Sequence, residues 1–385
     1  RELLKIYNGT KYDHLNKADI PLYGSGGLMS HVNEALYSGE AILLPRKGTL
    51  SNIMYVNESF WTVDTMYYAV VNDKLADAFY LYSYLSQLDL SNLDSGSTLP
   101  SMTKSAYESI VVKLPDLKIQ KAVATILFNI RKKLETNNKI NQELEAMAKT
   151  LYDYWFVQFD FPDQNGKPYK SSGGKMVYHP ELKREIPEGW GVAKVEDIAQ
   201  TGSGGTPKST NVSYYSNGEI PWINSGELEQ TVITSTSNFI TEEGLNNSSA
   251  KLFPSGTILV AMYGATAGKV SFLTFEASTN QAICAIMLTD IRMRYYLKNV
   301  IEDLYQYLVK LSTGSARDNL SQDMIKNIKV VIPSNDILDR FYDFSNNIIK
   351  EITKKQQENE QLTQLRDWLL PMLMNGQVKV ENYTD

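Results

Sequence analysis

The order of elements in this chain occurs twice. Placing Gly96 on Gly314 sets Gly96-Ser97-Thr98-Leu99-Pro100-Ser101-Met102 against Gly314-Ser315-Ala316-Arg317-Asp318-Asn319-Leu320. In the same alignment Ile110 meets Ile328, Val112 meets Val330, Pro115 meets Pro333, Ile119 meets Ile337, Ile130 meets Ile348, Leu144 meets Leu362 and Leu151 meets Leu369. Upstream, allowing a small insertion, Ala41–Leu44 faces Thr257–Val260, Gly48 faces Gly264, and Ile20-Pro21-Leu22-Tyr23-Gly24-Ser25-Gly26 faces Ile220-Pro221-Trp222-Ile223-Asn224-Ser225-Gly226. Self-similarity that keeps both order and spacing over most of a chain marks a duplicated structural unit.

Each copy reads alike. Short β-like runs (Ala41–Leu44 and Thr65–Val71; Ile258–Val260 and Ala282–Leu288) follow a glycine-punctuated polar start. A helical stretch comes next (Leu75–Leu88; Met293–Leu311), then a Gly-Ser loop and a short strand ending in proline (Ile110–Pro115; Ile328–Pro333). A long helix closes each copy. A linker rich in Gly, Lys, Pro and Ser, Phe161–Glu185, separates the two copies.

The long helices carry heptad seams. With Ile119 as position a, the a positions are Ile119, Ile126, Lys133, Ile140, Met147 and Tyr154, and the d positions are Val123, Ile130, Asn137, Leu144 and Leu151. The second helix carries Ile337, Phe341, Phe344, Ile348, Glu351, Lys355, Glu358, Leu362, Leu365 and Leu369, again two apolar blocks around a polar middle. Each seam spans roughly 54 Å at 1.5 Å per residue. Two matching stripes predict an antiparallel coiled coil, the alternative being two amphipathic helices each on its own domain. One register pairs Ile119 with Leu369, Val123 with Leu365, Asn137 with Glu351 and Leu144 with Phe344, and sets Lys133 beside Lys355. An antiparallel pair would hold two heads at opposite ends of a rod about 50 Å long, related by a pseudo-twofold axis, a spacing suited to successive grooves of a duplex.

Composition sets limits on this picture. The 385 residues suffice for two or three domains, and 43% hydrophobic with 21% charged residues is ordinary for a globular protein. There is no apolar run of 18 residues, the length needed to span a membrane, so no membrane association is expected. The single cysteine, Cys284, lies in an apolar run and suggests a buried thiol in a reducing cytoplasm. The net charge of −6 gives DNA binding no support from composition, so any such binding relies on local patches or on a partner's charge. The first residue is Arg1, and the second copy opens with Ile186-Pro187-Glu188-Gly189-Trp190, so about ten residues ahead of the first copy are expected to be missing or shortened.

At Tyr154-Trp155-Phe156-Val157-Gln158-Phe159-Asp160-Phe161-Pro162, Lys170, Gly173-Gly174-Lys175-Met176-Val177 and Glu185–Trp190, together with Ile20–Gly27 and Gly314–Arg317, the chain resembles the specificity subunit of type I restriction–modification enzymes over essentially its full length. The resemblance implies an α+β fold: two similar mixed α/β target recognition domains, separated by two long helices packed as an antiparallel coiled coil. The expected boundaries are 1–115 for the first domain, 116–160 for the first spacer helix, 161–186 for the linker, 187–333 for the second domain, 334–375 for the second helix and 376–385 for a tail. It also implies a non-catalytic role. Each domain would read half of a split double-stranded DNA site. The partners would be two modification subunits holding S-adenosylmethionine and two restriction subunits using ATP and Mg²⁺, with no cofactor in this chain.

Three sets of residues bear on possible chemistry in this chain. Gly202-Ser203-Gly204-Gly205-Thr206-Pro207-Lys208 lacks the spacing of a phosphate-binding loop and reads as a turn. His14, His31 and His179 are scattered. Asp163, Glu181 and Lys183 are the nearest approach to a Mg²⁺-dependent nuclease site, which leaves a stand-alone nuclease as one alternative and a protein-only scaffold as another. For base and phosphate contacts the candidates are Lys11, Tyr12, Tyr23, Arg46, Lys47 and Lys104 in the first copy, and Lys208, Asn224, Tyr263, Lys269, Arg317 and Asn319 in the second, chosen as donors on polar, glycine-containing loops. Arg46-Lys47-Gly48 is the sharpest, since it aligns with Met262-Tyr263-Gly264.

Overall fold

The computed structural model describes residues 2–90, 100–264, 266–311 and 320–378, without the side chains of 307–311. In chain order the elements are β1 (Leu4–Asn8), β2 (Ile20–Gly24), β3 (Gly27–Val32), β4 (Tyr37–Pro45), β5 (Met54–Thr62), β6 (Met66–Val71), α1 (Ala78–Leu85), α2 (Lys104–Ser109) and α3 (Leu117–Tyr152). Then follow β7 (Met176–His179), β8 (Arg184–Pro187), β9 (Gly191–Lys194), α4 (Val195–Ile198), β10 (Ala199–Ser203), β11 (Ile220–Ile223), β12 (Val232–Ile233), β13 (Phe239–Ile240), α5 (Glu242–Asn246) and β14 (Leu252–Phe253). The chain continues with β15 (Ile258–Ala261), β16 (Val270–Leu273), β17 (Ala277–Thr279), β18 (Ile283–Leu288), α6 (Arg294–Leu311), α7 (Gln322–Lys326), β19 (Lys329–Ile332) and α8 (Asn335–Met374). Contacts group the chain into two units, residues 1–135 with 361–385, and residues 136–360, so each long helix contributes to both.

In the first unit the sheet order is β1-β6-β4-β5-β2-β3, antiparallel except for the β2–β5 pair. The run Ala41–Leu44 is apolar without alternation because both faces of β4 are covered. Ile42 and Leu44 join Ile6, Tyr67, Leu81 and Leu85 on one face, and Ala41 and Leu43 join Leu22, Val56, Phe60 and Trp61 on the other. The helix α1 starts where Asp77 accepts the Tyr80 N–H, an N-cap that satisfies one of the orphan donors.

The second unit repeats this plan. β10-β18-β15-β16 matches β1-β6-β4-β5, and Ile258 and Val260 face one core while Leu259 and Ala261 face another. The long β5 is here divided into β16 and β17, and β17 pairs in parallel with β11 as β5 does with β2. Gly202 and Ser203, expected in a turn, are the end of β10, paired with Ala285 and Cys284. The strand expected at Ile110–Pro115 does not form, because no neighbouring strand pairs with it, whereas β19 pairs with β9.

The expected linker is not simply solvated. A π-helical turn at Asp153–Val157 ends α3, and Phe161 stacks on Tyr169 and Trp190 at 4.6 and 4.8 Å between ring centroids. The hairpin β7–β8 then leads to Ile186, which is buried in the same core.

The helix seam differs from the expected one in frame and register. In the second unit Asn137, Asn141 and Ala148 are buried while Ile140, Met147 and Tyr154 are exposed. In the first, Val123, Leu127 and Ile130 are buried while Ile119 is 44% exposed. The a positions therefore lie one residue later, at Leu127, Asn141 and Ala148; the d positions Val123, Ile130, Asn137, Leu144 and Leu151 stand, and Ile126 is only partly buried. Asn137 Nδ2 donates to Asn359 Oδ1 at 2.9 Å and to Glu358 Oε2 at 3.0 Å, eight residues along α8 from the expected partner, Glu351. The physical reason is charge. The expected register would have buried Glu351 against Asn137 and opposed two lysines, whereas here Glu351 bonds Lys354 in solvent and Lys355 bonds Glu358 at 3.1 Å. Phe344 and Leu365, placed on the seam by the sequence, are 37% and 43% exposed. Ile348 is buried, Leu362 is partly buried, and Leu369 packs with Leu373 on the cluster of Val123, Ala124 and Leu127.

Candidate nucleic-acid interface

In the first unit, backbone hydrogen bonds bring several loops together. Thr10 N–H donates to the Thr62 carbonyl at 2.9 Å, Val63 N–H to the Tyr23 carbonyl at 3.0 Å, and Arg46 N–H to the Thr65 carbonyl at 2.9 Å. The loop after β2 is tied to the turn after β4 through Asn52 Nδ2, which donates to the Ser25 carbonyl at 2.9 Å. Gly9 permits the first of these approaches, since a Cβ there would lie 2.0 Å from the Val63 carbonyl oxygen.

The candidate side chains take different places around these loops. Lys11 and Tyr12 are exposed on the segment held by Thr10, whose carbonyl accepts the Trp61 indole N–H at 3.0 Å. Tyr23 Oη donates to Glu58 Oε1 at 2.9 Å, and burial, then that carboxylate, push its pKa up to about 12. The Arg46 guanidinium and the Lys104 ammonium both lie over the Tyr67 ring, at 5.9 and 5.7 Å from its centroid. Lys104 Nζ also donates to the Ile6 carbonyl at 3.2 Å, and Arg46 Nη1 to the Asp64 carbonyl at 3.4 Å, so both cations are held by the fold. Lys47 is exposed at the tip of the turn, its backbone bridged to Ser101.

The second unit builds the same corner from different residues. Thr266 Oγ1 donates to the Ser225 carbonyl at 2.7 Å, as Asn52 does to that of Ser25. Gly205 N–H donates to the Thr279 carbonyl at 2.8 Å, and the Gly205 carbonyl accepts the Trp222 indole N–H at 3.0 Å. The indole here comes from β11, whereas in the first unit it comes from β5, the strand paired in parallel with β2. The bond is retained although the tryptophan has changed strands.

Asn224 Oδ1 accepts from Asn280 Nδ2 at 3.4 Å, while its backbone N–H donates to Glu227 Oε1 at 2.8 Å, so this candidate is partly spent in a turn cap. Tyr263 is exposed at the tip matching Lys47, and Lys208 is exposed beyond Pro207. Lys269 is exposed beside a groove whose lining mixes Lys149 and Lys298 with Glu145, Glu229 and Glu302, so its charge is partly offset by carboxylates. Arg317 and Asn319, with the Gly-Ser loops of both copies, lie outside the described residues.

Sequence reasoning passed over Asn52, Glu58, Thr266 and Asn280. Of these, only Asn280 falls at a position marked by the duplication: the shift of 216 residues that sets Gly48 on Gly264 sets it opposite Asp64. The carboxylates weighed for a nuclease are otherwise engaged. Asp163 Oδ1 accepts the N–H groups of Asn165 and Lys167, both at 2.8 Å, and Glu181 pairs with Lys329 at 3.0 Å. Lys183 sits in a turn with φ +50°. Among the described residues no three His, Cys, Asp or Glu side chains are grouped to hold a metal ion. Among them, too, no helix is long and apolar enough to cross a membrane.

Comparisons with known proteins agree with the duplication. The family described as Type I restriction modification DNA specificity domain matches residues 2–146 and again 187–364. The type I restriction enzyme MjaIX specificity subunit of Methanocaldococcus jannaschii is 27% identical over 297 residues, 76% of this chain and 66% of that protein. The HindI specificity subunit of Haemophilus influenzae is 27% identical over 333 residues, 73% of this chain and 72% of that protein. The crystal structure of the type I restriction–modification S subunit from M. genitalium shares the fold, with a TM-score of 0.66 at 14% identity over 96% of this chain and 93% of that one. With its domain matched twice, in the two places where the sheet plan repeats, the chain belongs to the type I restriction–modification DNA specificity family.

Proposed function

We propose that the chain is the specificity subunit of a type I restriction–modification complex, in which each copy reads one half of a split double-stranded DNA site. The observation that carries this reading is the turn after β4 and its counterpart after β15. Both are held by the same backbone bonds, Met102 N–H to the Arg46 carbonyl at 2.9 Å and Leu320 N–H to the Met262 carbonyl at 2.8 Å. The first turn presents Arg46 and Lys47, while the second buries Met262 in the core and presents Tyr263. A shared scaffold with divergent tips suits two readers of different base sequences, because phosphate contacts fix position while side chains at base edges specify. In this reading Lys11, Tyr12, Tyr23, Arg46, Lys47 and Lys104 serve one half-site. Lys208, Asn224, Tyr263, Arg317 and Asn319 serve the other, with Lys269 the weakest member.

The acidic net charge of −6 favours reading within an assembly, where two modification subunits carrying S-adenosylmethionine supply phosphate-neutralising charge and two ATP- and Mg²⁺-dependent restriction subunits complete the complex. The exposed apolar side chains Ile140, Met147, Tyr154 and Phe344 of the second unit are suited to such docking. The domain limits 1–115 and 187–333, with spacer helices between them and a cytoplasmic location, belong to the same proposal. The test is methylation of a random DNA pool by the reconstituted complex, with residues 3–114 exchanged for those of another specificity subunit. One half-site should change and the other stay; two unchanged half-sites would defeat the two-reader model. Robust plasmid cleavage by the purified chain with Mg²⁺ alone would instead favour a nuclease.

A further inference from the structure

The two units treat one apolar position differently. Extending the match of Ile20–Gly26 with Ile220–Gly226 by two residues sets Leu28 on Leu228. In the second unit Ser225–Glu227 forms a tight turn, and Leu228 is buried in the core with Ile223 and Leu259. In the first unit the chain turns back as the hairpin β2–β3, in which Tyr23 faces Leu28 and Gly24 faces Gly27. β5 pairs with β2 no further than Tyr23, so the end of the hairpin runs past it, and β3 is the edge of its sheet. Leu28 is 55% exposed and Met29 52%. Among the described residues, a Cβ at Gly26 or Gly27 would meet nothing within 4 Å.

This apolar tip stands beside cations and carries none. Ile20–Val32 contains no Lys, Arg, Asp or Glu. Its turn is fastened to the one that bears Arg46 and Lys47. The Ser25 carbonyl accepts Asn52 Nδ2 at 2.9 Å, and Ser25 Oγ lies 3.0 Å from where Gly48 would carry a Cβ. On the two-reader model, we propose that the β2–β3 tip enters the major groove of the first half-site, where Leu28 and Met29 contact the C5-methyl groups of thymine. A two-stranded β-ribbon has a width that the major groove admits. Arg46 and Lys47, fastened alongside, suit the phosphates that border the groove, a complement that an apolar patch on a protein partner would not supply. At a base edge in that groove the thymine methyl is the apolar group on offer, so side chains without donors or acceptors can specify thymine there and little else. Leu28 and Met29 are successive residues of one strand and point to opposite faces of the ribbon, so the tip can meet methyl groups on both sides of its path. The second unit, with Leu228 in its core, has no such reader at this position.

The test uses the reconstituted complex on duplexes that carry its own site. Each thymine of the first half-site is replaced in turn by uracil, which lacks only the methyl group. At least one replacement should lower kcat/KM for methylation roughly three- to tenfold. Leu28→Ser combined with Met29→Ser, both at exposed positions, should bring that thymine-to-uracil ratio to about one and leave the ratios at the second half-site as they were. A change of DNA shape caused by uracil would instead persist in the variant. A first half-site without thymine on either strand, a ratio near one in the parent (as an apolar wedge in the minor groove would give), or equal ratios in parent and variant would each overturn the proposal. So would a variant that loses assembly with the modification subunits and keeps the parent ratio, since the tip would then be a protein contact. Exchange of residues 3–114 separates this contact from the model beneath it. If neither half-site changes, the two-reader model falls; if one changes and the ratio is near one, the thymine contact alone falls.

Discussion

Gly48 and Gly264 hold the same left-handed backbone, φ +91° and +90°, at the tips of matching turns whose flanking side chains share no chemistry. The conformation costs an L-residue roughly 1–2 kcal/mol, so both glycines are demanded by the backbone. A Cβ on Gly48 would also lie 3.0 Å from Ser25 Oγ, whereas one on Gly264 meets nothing within 4 Å. Gly48→Ala should therefore destabilise its unit by more than Gly264→Ala, each by about 1–2 kcal/mol from strain alone. Urea titration of the two variants checks the ranking; equal or reversed losses would contradict it.

The side chains around those glycines should control specificity one half-site at a time. Replacing Arg46 and Lys47 by the Met and Tyr found at the matching positions removes the donors suited to guanine or phosphate. A bidentate base contact is worth about 1–3 kcal/mol of discrimination, so roughly ten- to a hundredfold preference at one position of one half-site should disappear. Methylation of a randomised pool by the reconstituted complex reads this directly. Loss of preference in both half-sites, or in neither, would show that the turn does not read bases.

Much of this organisation was legible in the sequence because duplication is a global signal. Two copies of an apolar run, a glycine turn and a long heptad helix agree even where single residues have diverged. What the sequence did not reveal came from interactions that periodicity cannot rank. Ile119, Ile140 and Met147 look as apolar as Leu127 and Ala148, and a one-residue change of frame exchanges the buried stripe for the exposed one. The register sets Asn359, a polar residue on no apolar list, opposite Asn137, and leaves the half-buried Glu358 carboxylate beside them paired with Lys355. At the candidate interface, Asn52 and Thr266 were missed because their role is to tie loops through a backbone carbonyl, a task many polar residues can perform. Lys104 and Asn224 were chosen as free donors, yet their partners, the Ile6 carbonyl and the Asn280 side chain, are set by sheet pairing.

The asparagine layer makes its own prediction. Asn137 is fully buried, and Asn359 also donates through Nδ2 to Asn138 Oδ1 at 2.8 Å. Asn359→Ala strips one partner from the buried Asn137 amide and one from the exposed Asn138, and should cost about 1–3 kcal/mol, mostly at Asn137. Changing both Asn137 and Asn359 to Leu removes the unmatched polar groups, so stability should recover while register fidelity falls. Cysteines placed at Leu144 and Ile352, which the Asn137–Asn359 offset sets opposite each other, should cross-link efficiently in the parent and less selectively in the double-leucine background. Efficient linkage of Leu144 to Phe344 in the parent would mean the register described here is wrong.

Alkaline pH should loosen the fold through groups that burial keeps neutral. The Cys284 thiol is pushed up from 9.0 to about 12 by burial, and the Tyr23 phenol from 10.0 to about 12 by burial and by its hydrogen bond to Glu58. Both are raised in the folded state, so the unfolded chain releases these protons first. Their contribution to stability is fully present below the unfolded values and is lost as pH rises through the folded ones. The unfolding midpoint in urea should therefore fall between about pH 9 and 12. Tyr23→Phe should flatten the part above pH 10, and Cys284→Ala the part beginning near pH 9. The same burial predicts that Cys284 resists thiol reagents at pH 8 until the chain unfolds, since the thiolate is the reactive form. Rapid labelling of the native protein, with its urea midpoint unchanged, would show that the strand β18 opens locally and that the thiol is not sealed in the core.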